Sequence, residues 1–147
     1  MNLLFFAFNL PRLNLYAQIA LVLLLSIGAL LARVKRFRLH AILQSAVVVL
    51  NVGFILRIML PSLRHQLPAS YPMSLKGLPV AIVRLHSCVG ALAWLMAFYV
   101  ILVAGTPLIP RRFCFSNYRR WMCTVFVLWW AAFLSGCLVY YQWYVNP

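Results

Sequence analysis

Residues 15–60 read LYAQIALVLLLSIGALLARVKRFRLHAILQSAVVVLNVGFILRIML, two apolar runs joined by a short basic stretch. The first run, 15–32, is stopped by Arg33, Lys35, Arg36 and Arg38, and the second covers 39–60 up to Pro61. Each is close to the ~20 residues that a helix needs to cross a bilayer. A helix satisfies its own backbone, so it is the form such a run takes in hydrocarbon. With so short a link the two helices must lie antiparallel.

The same reading extends outward. Residues 1–11 are apolar but lack a basic start and a small-residue cleavage site, so they read as an interfacial lead-in ended by Pro11 and Arg12 rather than as a signal peptide. After Pro61 comes a polar connection punctuated by Pro68, Pro72 and Pro79. A third run covers 80–106, before Pro107 and Pro110, and a fourth covers 121–145. The expected fold is all-α: one integral membrane domain over 1–147, a transmembrane four-helix antiparallel bundle.

Composition agrees. The chain is 66% hydrophobic and 9% charged, and its 13 Lys and Arg face no Asp or Glu. Soluble domains carry about 25% charged residues. Too few polar side chains exist here to cover a surface in water.

The missing carboxylates exclude whole classes of chemistry: acid/base dyads, Ser-His-Asp triads, carboxylate-bound calcium or magnesium, and acidic proton relays. No other catalytic constellation is present, so the chain reads as a non-enzyme. The basic excess sits in short loops beside apolar runs, which is the positive-inside pattern and not a nucleic-acid surface. Its cations must meet water, lipid phosphate, backbone carbonyls, an acidic cofactor, or acidic residues of other membrane subunits. Four cysteines (Cys88, Cys114, Cys123, Cys137) have no CxxC spacing and imply no disulfide framework.

Orientation follows from basic counts. Loops one and three carry eight cations (Arg33, Lys35, Arg36, Arg38, Arg111, Arg112, Arg119, Arg120). The other face carries five (Arg12, Arg57, Arg64, Lys76, Arg84). The cell (inner or plasma) membrane is therefore expected to hold loops one and three on its cytoplasmic side and both termini outside. Aromatic residues at 113–118 and 140–144 suit the two interfaces.

Three histidines stand at helix ends. His40 opens helix two on the cytoplasmic side. His65 follows the end of helix two and His86 lies near the start of helix three, so the antiparallel arrangement brings these two to the other face. Two histidines at one depth suit the axial positions of a haem iron, or a copper ion, with Met59 and Met73 as soft donors nearby. The plain alternative is that all three are interfacial and bind nothing. Arg57, with Arg64 and Arg84, stands where haem carboxylates would meet cations; the plain alternative is snorkelling to lipid phosphate.

In helix two, His40, Gln44 and Asn51 share one face at spacings of four and seven. That face must point into the bundle, as glue between helices or as the wall of a pocket. His86, Gly90, Ala93 and Ala97 share a face of helix three, small enough for close packing. Met122, Trp129 and Gly136 form a stripe on helix four that reads as bundle core.

The chain resembles the YozB/CtaM-like family of four-helix membrane proteins, some of which are assembly factors for haem-copper cytochrome oxidases. The resemblance is carried by LARVKRFRLHAILQSAVVVLN, by RLHSCVGALAW and by NYRRWMCTVFVLWWAAFLSGCLVYY, over residues 14–144. It implies a haem- or copper-handling role in respiratory oxidase assembly, with His40, His65 and His86 as the matching histidines. The family's histidine at the start of helix four is replaced by Asn117 and Tyr118. A cytoplasmic pair with His40 is thus missing, and the pair His65 and His86 carries the expectation. The competing expectation is a non-catalytic accessory subunit of a larger membrane complex. Transport is weaker, because the sequence shows neither an internal repeat nor a mid-span Pro/Gly break.

Overall fold

The computed structural model describes residues 3–66, 78–105, 110 and 117–145, with side chains described for 10–64, 80–104, 110 and 117–145. The helices are α1 (Leu3–Arg33), α2 (Phe37–Phe54), α3 (Leu60–Gln66), α4 (Leu78–Gly105) and α5 (Tyr118–Tyr144). A π-helical turn, Ile55–Met59, joins α2 to α3 within one continuous span. Among the described residues four spans are long and apolar enough to cross a membrane: Leu10–Arg33, Phe37–Arg64, Val80–Ala104 and Tyr118–Tyr144. The protein is an all-α four-helix bundle of integral membrane type.

Two hairpins build it. The closest packing is of α1 on α2 and of α4 on α5; α1 against α5 and α2 against α4 close the ring more loosely. The core is thin: Leu21, Val22 and Leu25 of α1, Val47 and Val48 of α2, Ala97 of α4 and Trp129 of α5. Most other large apolar side chains face outward. Leu13, Tyr16, Leu23, Ile27 and Leu30 line one side of α1, and Val127, Leu134, Leu138 and Tyr141 one side of α5. At helical spacing these are lipid-facing stripes, where hydrocarbon replaces the neighbours a soluble core would supply.

The α1–α2 turn is a Schellman ending. Lys35 takes the left-handed conformation (φ 62) where glycine is usual. Arg36 N donates to Leu31 O at 2.9 Å and Lys35 N to Ala32 O at 3.1 Å. At the other turn Asn117 caps α5, its Oδ1 accepting from Arg120 N at 3.1 Å. That cap is why α5 starts at Tyr118 rather than at Trp121.

Two prolines read as boundaries of apolar runs, Pro11 and Pro61, stand inside helices. Pro11 lies within α1, which runs back to Leu3 instead of beginning at 15. Past Pro61, expected to end the second span at 60, α3 carries the chain on to Gln66. Proline lacks an N–H, and its ring crowds the carbonyl four residues back. The π turn before Pro61 widens the helix, with Leu60 N donating to Ile55 O, five residues back. In hydrocarbon, leaving the helix would orphan many backbone groups, so one missing bond is the smaller cost.

The polar face of α2 turns onto α1. His40 Nδ1 lies 2.8 Å from Gly28 O, Gln44 Nε2 donates to Leu25 O at 3.0 Å, and Asn51 Nδ2 donates to Gln18 Oε1 at 3.0 Å. Gly28 gives the amide room: a Cβ there would collide with the end of Gln44. Gln44→Met should therefore cost about 0.6–1.7 kcal/mol of bundle stability. Gly28→Ala, by pushing the same amide off Leu25, should cost a similar amount, and the double variant little more than either. Reversible unfolding in mixed micelles measures the cycle; full additivity would show that Gly28 and Gln44 act separately.

Candidate functional site

Beyond the core the two hairpins part and leave a half-open cavity of about 550 Å³. It lies at the end of the bundle where α2 finishes and α4 begins. Its walls are α1 from Pro11 to Gln18, the π turn with its flanks, the first half of α4 and the second half of α5. Small side chains leave the space open: Gly90, Ala91 and Ala93 on α4, Ala132 and Gly136 on α5. The lining is mainly apolar, interrupted by Asn14, Gln18, Asn51, Ser62, His86 and Ser87. Among the described residues no Lys or Arg contributes to the wall.

His86 is the ionisable group of this wall with the most defined setting. Its Nδ1 lies 3.0 Å from Ala132 O and 3.2 Å from Ser135 Oγ. The Ser135 hydroxyl sends its own proton to the α5 backbone, 2.8 Å from Ala131 O and 3.0 Å from Ala132 O. A carbonyl only accepts, so the proton of the neutral imidazole belongs on Nδ1. Among the described residues both hydrogen bonds of the ring fall on Nδ1, leaving the lone pair of Nε2 uncommitted. Anchoring one ring nitrogen on a backbone carbonyl is how proteins hold a metal-ligating histidine. The ring rests over Gly136, where a Cβ would come within 2.9 Å of Cε1. Gly136 thus serves as a seat for His86, not simply as part of a core stripe; Trp129 of that stripe is in the core, 6% exposed.

The remaining sequence candidates are dispersed. His40 stands at the opposite end of the bundle, on Gly28 of α1, so the fold does not bring it to His86. The backbone of His65 belongs to α3 and its side chain lies outside the described residues, as does Met73. Met59, last residue of the π turn, lines the cavity. Cys137, a free thiol, lines it from α5. Arg57, Arg64 and Arg84 lie toward the cavity end, exposed and outside the wall. Among the described residues no three His, Cys, Asp or Glu side chains converge as a metal site would require.

Sequence reasoning did not find the seat of His86. The visible signal was the run of small residues Ala131, Ala132, Ser135 and Gly136 inside an aromatic-rich span. Nor did it single out Asn14 and Gln18, one helical turn apart on α1. No protein-family model matches the chain, and comparisons with curated proteins and with solved structures return no match.

In protein labelled with ¹⁵N-histidine, His86 should show a protonated Nδ1 and an unprotonated Nε2. Gly136→Ala should displace the ring and shift both resonances, whereas Ser135→Ala, which leaves the Ala132 carbonyl, should preserve the tautomer. A signal unmoved by Gly136→Ala would mean that the ring does not rest there.

Proposed function

We propose that this is a haem-handling membrane protein and that His86 is its iron ligand. The observation that carries the reading is the anchored Nδ1 of His86, which leaves Nε2 free in the wall of a large intramembrane cavity. Met59, in the same wall, would be a second residue to hold the iron, since His/Met ligation is an established haem pairing. The small residues of α4 and α5 suit a flat macrocycle. Arg57, Arg64 and Arg84, lying toward the same end, are cations for its carboxylates in a chain that has no acid of its own. A bound haem would supply one-electron chemistry; the chain's part is to ligate the iron and to keep water away. Copper(I) is the alternative occupant, since His86, Met59 and Cys137 together offer soft nitrogen and sulfur donors. The resemblance to oxidase assembly factors extends the reading to the delivery of such a cofactor to a respiratory oxidase.

Protein purified in mild detergent from haem-replete cells should show a Soret band, with α/β bands after dithionite. His86→Ala should abolish these bands and His40→Ala should leave them. A colourless, metal-free preparation would sink the cofactor reading, and other polypeptides eluting with it at fixed ratio would favour an accessory subunit. The proposed orientation places the cavity at the non-cytoplasmic face. A reporter active only outside the cytoplasm, fused after Pro147, should therefore be active, and an inactive one would invert the topology.

A further inference from the structure

The inner end of the cavity poses a separate problem. Asn14 Oδ1, Gln18 Nε2 and Trp94 Nε1 are buried, and none has a hydrogen-bond partner among the described residues. All three side chains line the cavity. In water such groups would be solvated; in a bilayer each unpaired one destabilises the fold. Gln18 cannot escape by turning away, because its Oε1 holds Asn51 Nδ2 at 3.0 Å. The reverse assignment of both amides would keep that bond and still leave one polar atom of Gln18 unpaired.

We infer that this inner end is a binding site for the ring of a neutral, carbonyl-bearing lipophile of the quinone class. Three features select that chemistry. The indole N–H of Trp94 can only donate, so the occupant must offer an acceptor, as a ring carbonyl does. The Asn14 and Gln18 amides supply a further donor and an acceptor, which suits both the carbonyl of a quinone and the hydroxyl of a quinol. With no Lys or Arg in the described wall, a phosphate or carboxylate headgroup finds no counter-charge there. The indoles of Trp94 and Trp129, both in the wall, offer flat apolar surface to a ring. The terminal torsion of Asn14 is soft, so its amide reorients toward an entering carbonyl at little cost, while Gln18 stays fixed by its bond to Asn51.

The site goes beyond the haem reading and does not depend on it. Trp94 is eight residues past His86 on α4, about 12 Å farther into the bundle at 1.5 Å per residue. Below it the core of Leu21, Val22, Val47, Val48 and Ala97 closes the bundle.

The test uses the full chain in detergent micelles, titrated with a decyl-substituted benzoquinone and followed by tryptophan fluorescence. Quenching should saturate, and Trp94→Phe should remove much of its amplitude. Asn14→Leu and Gln18→Leu should each weaken binding about tenfold, the loss of roughly one hydrogen bond. His40→Ala, at the opposite end of the bundle, should bind as the wild type does. Photolabelling of the wild-type chain with an azido-quinone provides a readout that needs no variant, and should mark α1 near Asn14 and Gln18 and α4 near Trp94. Linear quenching that never saturates, or saturable quenching unchanged in both leucine variants, would overturn the site. So would label spread over the lipid-facing stripes. Loss of binding in His86→Ala alone would place the ring at His86 and overturn the inner site. A flat haem spectrum with saturable quenching would instead retire the haem reading and keep this one.

Discussion

A donor buried in hydrocarbon can turn only to an acceptor the protein supplies, and this chain supplies no side-chain carboxylate. Backbone carbonyls of neighbouring helices take that part. His40 reaches Gly28 O, Gln44 reaches Leu25 O, and His86 reaches Ala132 O. Each carbonyl already sits in a helical ladder and offers its second lone pair, so the contact requires close approach of the two backbones. Close approach in turn requires glycine or alanine beneath the incoming side chain, which is what Gly28 and Gly136 provide. These bonds lie within the hairpins, α2 to α1 and α4 to α5. The hairpins are consequently the tight units, and the seam between them is where space remains.

The seam opens at the end where α2 finishes, and the π turn is part of the reason. Towards the basic turn α1 and α2 meet through Val22, Leu25, Val47 and Val48, with Ala97 and Trp129 completing the contact. Past Asn51 the π turn ahead of Pro61 adds a residue to the helical cycle, which rotates α3 relative to the course of a regular α-helix. Met59 thereby lines the cavity while Arg57 is left exposed. Across from it α4 and α5 present glycine and alanine rather than bulk. A proline that would end a helix in water here reshapes a wall.

Spans were legible in the sequence because hydropathy over some twenty residues reports a strong constraint, the absence of water for the backbone. The polar face of α2 was legible for the same reason: its side chains had to point inward, and they bond α1. Helix ends were less so. Pro11 and Pro61 were read by the rules of aqueous helices, where leaving the helix costs little. The partner of His86 was not legible, since it depends on how far α4 is rotated against α5, and many rotations would satisfy the same apolar pattern. A cavity is harder still: it is the outcome of what does not pack, and no local spacing encodes it.

The polar groups of this bundle divide into two kinds, and the division bears on function. Those facing a neighbouring helix within a hairpin are bonded: His40, Gln44, Asn51 and the Nδ1 of His86. Left over are polar atoms of Asn14, Gln18 and Trp94, whose side chains line the cavity, and Gln142 Oε1 of α5, outside its wall. A chain serving only as packing would gain by replacing these last residues with apolar ones, since unpaired buried donors destabilise and leucine would fill space. Stability alone therefore does not account for them. Their place in the wall is intelligible if an occupant completes the hydrogen bonds of Asn14, Gln18 and Trp94 and, at His86, a metal's coordination.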